Sequence, residues 1–319
     1  MNRNVKQILL PSIVALIWGG AFIVQGSVAD KMGAFTFNAV RSYFAVVVLT
    51  LASFVADKVR TSKGVEIKTH SVRSLIIGGI LCGIAICAAS NVQQFGMFGT
   101  TEAGGNVLTE GDAAFITALY IVLVPIILLF FGRKPTANVW IAIAMALIGL
   151  FLICNFTGGK SFSVYHVELF GCAIIFSVHI LLVDHFVKKV DPLKLSCLQF
   201  FVMGTVSLIF ALIFDDISFA VIAECLPQLI YVGVFSCAIA YTLQIVSQKG
   251  TNPVVVSIVL SLESFFALLC EVVLGLITGY VKPHTPLQIL GCVIMLLAIV
   301  FAQVNIFAYI SKKKNDETK

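Results

Sequence analysis

Residues 252–279 read N-P-V-V-V-S-I-V-L-S-L-E-S-F-F-A-L-L-C-E-V-V-L-G-L-I-T-G. The segment is apolar almost throughout, and it carries Glu263 close to its centre. A helix rises about 1.5 Å per residue, so about 20 apolar residues cross the hydrocarbon layer of a bilayer, which is about 30 Å thick. The segment is therefore long enough to cross a membrane, and it would hold a carboxyl group inside it.

Nine further stretches of this kind run through the chain almost end to end. The first follows Met1 to Lys6 as in a signal peptide, but it exceeds 20 residues and has no A-x-A cleavage site, so we expect it to remain as a span. The sequence thus predicts an all-α integral membrane protein with ten transmembrane helices. The predicted spans are residues 7–29, 34–56, 72–98, 105–131, 136–154, 164–187, 192–214, 226–248, 252–279 and 285–309.

Composition supports a membrane protein and argues against a soluble enzyme or a nucleic-acid binder. Hydrophobic residues make up 59% of the chain and charged residues 12%, about half of the roughly 25% found in soluble domains. The net charge of +5 resides in short loops and the tail, as expected for topology signals. The nine cysteines show no C-x-x-C spacing, and most lie in apolar runs, so we expect no disulfide framework, no metal site and no cofactor.

The basic residues indicate how the helices are oriented. With the amino terminus in the cytoplasm, 17 of the 21 Lys and Arg residues fall on the cytoplasmic side. Lys31, Lys160 and Lys282 fall on the outer side, and Arg41 lies inside a span. The positive-inside rule therefore predicts a multi-pass protein of the cytoplasmic membrane with both termini in the cytoplasm.

An internal repeat is visible near the midpoint of the chain. Residues 33–41 (G-A-F-T-F-N-A-V-R) open the second span, and residues 191–199 (D-P-L-K-L-S-C-L-Q) open the seventh. A unit of five helices is odd, so its second copy enters the membrane upside down. We predict two inverted repeats, residues 1–156 and 164–310, and such repeats commonly hold a solute near the midplane between them.

Six short segments, each weak alone, stand in a recognisable order along the chain. They are Trp18-Gly19-Gly20-Ala21-Phe22, Phe35 to Arg41, Gln93-Gln94-Phe95-Gly96, Ala113 to Tyr120 ahead of Pro125, Ala240 to Gln244, and Leu260 to Ser264. At these residues the chain resembles the EamA family of the drug/metabolite transporter superfamily, over about residues 8–309. The resemblance implies ten helices in two inverted repeats and secondary transport of small organic metabolites, often by export, with amino acids as a common substrate class.

Two departures from the family pattern bear on the solute. Residues 102–112 look like an insertion before the fourth helix. In the ninth helix Gly275 is followed by Leu276 where the family has an acid, and Glu271 stands one turn earlier. Either change could reshape the outer vestibule.

Polar side chains inside a bilayer are costly and are therefore candidates for a site. Glu263 lies 11 residues into its helix, roughly 16 Å deep, near the midplane. It could be a proton-coupling site, attract an amino-bearing solute, or be bonded to neighbouring helices for structure. The predicted substrate-binding residues are Trp18, Asn91, Gln94, Tyr120, His179, Tyr241, Gln244 and Glu263.

Arg41 is predicted to lie about two turns below the outer face. We favour a gating ion pair with Asp112 or Glu271, which the same counting places in the outer third. A contact with a substrate carboxylate and snorkelling to the headgroups are the alternatives.

The aromatic and histidine candidates also have two interpretations. Trp18, Tyr120 and Tyr241 could form an aromatic wall for a quaternary amine, or simply pack in the bundle. His179 could titrate near neutral pH, although a satisfied core histidine is more common. Asp184 is expected to be solvated at the cytoplasmic interface, and a kink is expected at Pro125.

We therefore predict a secondary transporter of a small organic metabolite, with an amino acid or related amine preferred, working by alternating access and by export. A non-transporting receptor or scaffold of the same fold is the alternative, as is an importer of a quaternary amine or nucleoside-type solute. No enzyme signature is found, so an enzyme is not expected. The expected partners are a small-molecule substrate and the lipid bilayer, without nucleic acid, for a monomer or a homodimer.

Overall fold

The computed structural model describes residues 3–63, 71–101, 108–133, 135–154, 163–278 and 286–303. Within these residues the chain is helical and contains no strand. A 3₁₀ turn follows α3 at Phe98–Thr100, and a π-helix at Tyr231–Ala240 joins α10 to α11. The helices are α1 (Arg3–Gly26), α2 (Ala34–Ser62), α3 (Val72–Met97), α4 (Glu110–Thr117), α5 (Tyr120–Phe130), α6 (Ala137–Cys154), α7 (Val164–Phe186), α8 (Pro192–Phe214), α9 (Phe219–Glu224), α10 (Leu226–Ile230), α11 (Tyr241–Gln248), α12 (Pro253–Leu260), α13 (Glu263–Thr278) and α14 (Pro286–Gln303).

Eight helical segments of the described chain are long and apolar enough to cross a bilayer, and each coincides with a predicted span. The remaining two predicted spans contain shorter apolar helices, within α6 and α14. The eight segments are Ile8–Gly26, Ala34–Ser62, Val72–Thr100, Glu110–Phe130, Val164–Phe186, Pro192–Phe214, Leu226–Gln248 and Pro253–Ile277. The prediction of a multi-pass, all-helical membrane protein is confirmed.

The packing of the helices follows a two-repeat arrangement. The second helix of each half pairs with its counterpart, α2 with α8, and the fifth helices pair likewise, α6 with α14. The third helix of the first half, α3, packs on α7 and α8, while its counterpart, the segment from the π-helix through α11, packs on α1 and α2. Each of these contacts between helices thus has an equivalent contact in which the helices of the first and second halves are interchanged. An internal two-fold relation produces this pattern.

Hydrogen bonds and ion pairs at the two ends of α2 and α8 show that these helices are antiparallel and in register. At one end, Oδ2 of Asp215 accepts from the backbone N–H of Thr36 at 2.7 Å and from its hydroxyl at 2.8 Å. At the other end, Nζ of Lys194 lies 2.8 Å from Oδ2 of Asp57. Thr36 and Lys194 are 158 positions apart (194 − 36), and so are Asp57 and Asp215 (215 − 57). We call the end with the α1–α2 connection the Ser27 end and the end with the α2–α3 connection the Lys63 end.

Two glycines in the middle of the bundle show the same correspondence between the two halves. A Cβ on Gly83 of α3 would lie 2.6 Å from Cβ of Val202 and 2.9 Å from the carbonyl oxygen of Gln199. A Cβ on Gly233 of the π-helix would lie 2.6 Å from Cβ of Phe44 and 2.9 Å from the carbonyl oxygen of Arg41. Phe44 and Arg41 occupy the positions of Val202 and Gln199 in the α2–α8 register. Both crossings therefore need a glycine, because the backbones approach too closely for any side chain.

The fourth and ninth predicted spans are interrupted at equivalent places. A turn at Ala118–Leu119 separates α4 from α5, and a turn at Ser261–Leu262 separates α12 from α13. At both interruptions a backbone hydrogen bond spans three residues instead of four. Leu119 N–H donates to the Ile116 carbonyl and Leu262 N–H donates to the Val259 carbonyl, each at 3.2 Å. The helix starts are 143 positions apart for both parts (253 − 110 and 263 − 120). The first residues after the two turns are Tyr120 and Glu263.

Two further details concern the fourth predicted span. Helix α5 continues through Pro125, and the interruption of this span lies upstream, at Ala118–Leu119. Of the segment that looks like an insertion, residues 102–107 lie outside the described residues. Its last part forms a capping box: Thr109 N–H donates to Oδ2 of Asp112 at 2.8 Å, and Asp112 N–H donates to Oγ1 of Thr109 at 3.1 Å.

The first prediction concerns the close crossings. Changing Gly83 or Gly233 to Ala should lower the melting temperature of the purified protein in detergent by several degrees, because overpacking costs about 1–3 kcal/mol. Gly171→Ala is the matched control, since its Cβ would meet only Cγ1 of Val92, at 3.8 Å. Alanine favours helix over glycine, so the control should melt at the same or a higher temperature. Equal losses in all three variants would contradict the assignment.

The second prediction concerns pH and Asp191, which caps α8 at the Lys63 end. Burial alone would raise the pKa of Asp191, but the Arg60 hydrogen bond at 2.9 Å and the backbone N–H groups of Lys194 and Leu193 outweigh it, so the pKa lies below its ordinary value. A lowered carboxyl pKa stabilises the fold above the unfolded pKa, about 3.9, and this contribution is lost as the pH falls through the folded value.

Asp191→Asn should therefore lower the melting temperature at pH 7, by an amount corresponding to about 1 kcal/mol since Arg60 is 39% exposed. The difference from the unchanged protein should shrink below about pH 4. Melting curves between pH 3 and 7 measure this, with exposed Asp216→Asn as the control. A difference that is constant across this range would rule out the carboxylate as its source.

Candidate functional site

A cavity lined by polar and aromatic side chains lies in the bundle, and its free volume is about 490 Å³, including the part open to solvent. Side chains from both halves line it. Ten of the lining residues are polar or titratable and buried, an arrangement that a membrane bundle tolerates where a solute or water passes. The lining residues are Trp18, Ala21, Phe22, Gln25, Arg41, Gln93, Thr117, Tyr120, Phe176, His179, Ile180, Ser236, Tyr241, Gln244 and Glu263.

The two interrupted helices meet at this cavity. The hydroxyl of Tyr120 donates to Oε1 of Glu263 at 2.9 Å, and both side chains are buried. Tyr120 begins α5 and Glu263 begins α13, so the bond joins the same position of the two repeats. A carboxyl group with one oxygen held in this way can still accept from, or attract, a donor in the cavity through the other oxygen.

Aromatic rings cover one side of the cavity. The rings of Trp18 and Tyr241 are 4.7 Å apart between centroids, inclined at 53°. Tyr241 also meets the ring of His179 at 6.0 Å and that of Phe200 at 5.4 Å, both edge to face. Nε1 of Trp18 has no hydrogen-bond partner among the described residues. The Trp18–Tyr241 pair therefore combines an apolar face with a free donor, a pairing that suits an organic solute.

Amide side chains supply donors and acceptors around the aromatic rings. Nε2 of Gln93 donates to Oγ1 of Thr117 at 3.3 Å, and Oε1 of Gln199 lies 3.1 Å from Nε2 of His179. Within the described residues, Oε1 of Gln244 and Nδ1 of His179 have no partner, although both side chains are buried. Unpaired polar atoms of this kind are costly in a dry interior, so they are expected to bond to water or solute in the cavity.

Arg41 brings a positive charge to the same cavity. Its Nη1 donates to Oε1 of Gln25 at 3.3 Å, and its Cζ lies 4.9 Å from the centre of the Phe37 ring. Among the described residues no carboxylate, neither that of Asp112 nor that of Glu271, lies within ion-pair distance of the guanidinium. Asp112 caps α4 instead. The gating pair thus remains a prediction for another conformation.

Seven of the eleven predicted site residues line the cavity together: Trp18, Arg41, Tyr120, His179, Tyr241, Gln244 and Glu263. Asn91, Gln94, Asp112 and Glu271 are not among its described lining. Asn91 instead connects three helices, since its Oδ1 accepts from Asn38 at 3.0 Å and its Nδ2 donates to Oγ of Ser207 at 3.0 Å. Gln94 is fully buried, and its amide has no partner among the described residues.

Sequence reasoning missed Gln25, Gln93, Thr117 and Ser236. Each is a polar side chain inside an apolar span, so the signal was present. The helix face that each residue presents depends on the tilt and rotation of the helices, which are not readable from spacing alone. Gln93 rather than Gln94 faces the cavity, a difference of one residue or about 100° around α3.

An ionic cluster lies at the Lys63 end of the bundle. Asp184 is 4% exposed, so the expectation that it is solvated is wrong. Its Oδ2 lies 2.9 Å from Nζ of Lys188 and 3.6 Å from Nη1 of Arg133. Because Arg133 follows α5 and Asp184 belongs to α7, the cluster links helices of the two halves. On α11, Gln244 lines the cavity, and Gln248, one turn further along the helix, is also buried.

The lining of the cavity offers groups that can bind a solute. Within the described residues no group of three His, Cys, Asp or Glu side chains could hold a metal ion. The lining offers a carboxyl group, a guanidinium, amides and aromatic faces in one small space. Such a lining can hold a small polar organic molecule by several directed contacts at once.

Comparison with known proteins gives one family across nearly the whole chain. The model of the EamA-like transporter family matches residues 5–155 and again residues 166–304. An "uncharacterized transporter" of Archaeoglobus fulgidus is 28% identical over 300 residues, which cover 92% of this chain and 85% of that protein.

A solved crystal structure has the same fold, with a TM-score of 0.68 at 15% sequence identity, covering 93% of this chain and 96% of that one. At 15% sequence identity, this similarity shows that the two proteins share a fold. The family match, repeated once in each half, agrees with the two-repeat packing and with the resemblance seen at Trp18, Arg41 and Glu263. The chain is a multi-pass membrane protein and belongs to the EamA-like transporter family.

Proposed function

We propose that the protein is a secondary transporter that carries a small organic metabolite across the cytoplasmic membrane by alternating access, in the direction of export. An amino acid or a related amine is the preferred solute. The family supports transport, and the cavity supports a small polar solute. No step of this function requires a chemical reaction on the solute, so we do not propose an enzyme.

The observation that carries the proposal is the Tyr120–Glu263 hydrogen bond in the cavity between the repeats. In alternating access, one repeat rocks against the other around a central site. A contact between the repeats at the site itself couples the solute to that motion. A solute with an amino group would compete with Tyr120 for the carboxyl group of Glu263, and the Trp18–Tyr241 pair would cover its apolar part.

The two interruptions provide the bending points for this motion. Helices bend where the i to i−4 bonds are already broken, and both interruptions lie beside the solute. Movement of α4 against α5, and of α12 against α13, would open one end of the cavity while the other end is closed. In this proposal the Asp184 cluster would hold the Lys63 end together, which is the cytoplasmic end in the proposed orientation.

Ten crossings with both termini in the cytoplasm complete the proposal, with the halves divided as residues 1–156 and 164–310. The α6–α14 pair supports the fifth and tenth crossings, because a Cβ on Gly149 would lie 2.8 Å from the carbonyl oxygen of Gly291. Two helices in such close contact inside an apolar bundle share its depth.

The third prediction tests this topology. Single cysteines introduced at Ser27 and Lys63, in a cysteine-free background, should react with a membrane-impermeant maleimide from opposite sides of intact cells. Ser27 should label without permeabilisation and Lys63 only after it. The reverse pattern would contradict the orientation, and labelling of both from one side would contradict the second crossing.

The fourth prediction tests the site. In liposomes, counterflow of a labelled panel of amino acids, amines and nucleosides should show one transported class. Glu263→Gln should lower that flux at least tenfold, because the amide cannot carry the negative charge. Tyr120→Phe should lower it less, since a single hydrogen bond is worth about 1 kcal/mol.

Glu168→Gln is the matched control for that measurement. It is the same change in an acid of α7 that lies within a predicted span and is not among the described lining of the cavity. The control should keep the flux of the unchanged protein. Specific binding without any flux would contradict transport and favour a receptor.

A further inference from the structure

Arg41 is a buried cation whose charge is not matched by the described residues. The side chain is 4% exposed and belongs to the eighth residue of α2. Its contacts are a long hydrogen bond to Gln25 and the face of Phe37, and both partners are neutral. Its Nε has no hydrogen-bond partner among the described residues. Burying an ion without a counter-charge costs several kcal/mol.

The equivalent residue of the second repeat shows whether helix packing requires a guanidinium at the position of Arg41. Gln199 takes the place of Arg41 in the α2–α8 register (199 − 41 is 158). The carbonyl oxygens of both residues face a glycine of the crossing helix, Arg41 at Gly233 and Gln199 at Gly83, and each lies 2.9 Å from the position that a Cβ on that glycine would take. The crossing therefore works equally well with a neutral side chain, and packing does not explain the guanidinium.

The guanidinium has access to the cavity, where the described residues offer one carboxyl group, that of Glu263. That group is held by Tyr120 and is not within ion-pair distance of Arg41. A guanidinium presents several N–H donors in a fixed plane that fits a carboxylate with two parallel hydrogen bonds. An anionic group in the cavity would satisfy the free Nε and neutralise the charge at the same time.

We propose that Arg41 is an anion-binding subsite of the cavity and that the transported solute carries a carboxylate, which docks on this guanidinium. The inference rests on the proposed function and sharpens it, because it separates the two preferred solutes. A solute with both a carboxylate and an amino group engages Arg41 and Glu263 together. A plain amine has no group for Arg41.

The test uses the purified full chain and pairs of compounds that differ only in the carboxylate. The pairs are leucine with leucinamide, serine with serinamide, glutamine with its amide, and lactate with lactamide, at equal ionic strength. Each compound is assayed for thermal stabilisation in detergent and for counterflow in liposomes. The variants are Arg41→Gln, which copies the second repeat, and Arg60→Gln as the control for loss of a guanidinium outside the cavity.

We expect at least one carboxylate to stabilise the protein and to be transported, and its amide to do neither. Arg41→Gln should reduce the counterflow at least tenfold and remove the stabilisation, whereas Arg60→Gln should keep both. Without any compound, Arg41→Gln should melt at the same temperature as the unchanged protein or higher, since a buried charge has been removed.

Several results would overturn the subsite. Amides could act as well as carboxylates, or Arg41→Gln could bind and transport carboxylates normally. Alternatively, Arg41→Gln without compound could lose as many degrees as Gly83→Ala, which would make the charge structural. The subsite would also be contradicted if no carboxylate stabilised the protein and none was transported. If amines were transported equally well by Arg41→Gln and by the unchanged protein, the subsite would be wrong and the transporter function would stand. If a carboxylate stabilised the protein but was not transported, the subsite would stand and the transporter function would be wrong.

Discussion

Inside the hydrocarbon layer every backbone N–H and C=O group must find its partner within the protein, and the structure depends on this constraint. It makes the spans helical, and it restricts an interrupted helix to places where other protein groups surround the break. Both interruptions, at Ala118–Leu119 and Ser261–Leu262, lie in the interior, and both keep short hydrogen bonds across the turn. The breaks and the cavity therefore occur together, because irregular backbone at this depth is tolerated beside polar surroundings and not beside lipid.

The internal two-fold relation separates what the fold requires from what the function requires. Positions that serve the packing keep their character in both halves, as Gly83 and Gly233 do, and as Asp57 and Asp215 do at the helix ends. Positions that face the cavity differ: Arg41 corresponds to Gln199, and Tyr120 corresponds to Glu263. At these positions the two halves share packing features and differ where the side chains line the cavity. This contrast gives a physical criterion for site residues that does not depend on any relative.

Much of the fold was readable from the sequence, and part of the site was. Apolar length gave the spans, and the similarity of residues 33–41 to 191–199 identified the same α2–α8 register that the Asp57 and Asp215 contacts show. The depth of Glu263, Tyr120 and Trp18 placed them near the midplane, and they do line one cavity. The interruptions were not readable, because Ala118 and Leu119 are good helix formers and carry no breaking signal. The lining by Gln93 rather than Gln94 was missed for a related reason, since rotation of α3 is decided by its neighbours.

The bond between Tyr120 and Glu263 has a consequence for how the chain must be built. If five helices of one kind associated as a dimer, the two residues at this position would be identical. Two carboxyl groups would then face each other in a medium where neither is readily ionised beside the other, and two phenols would provide no charge at all. Joining the halves into one polypeptide allows a donor on one side and an acceptor on the other. Covalent fusion of the two halves thus allows an asymmetric hydrogen bond between a donor and an acceptor, while the packing of the helices keeps its two-fold symmetry.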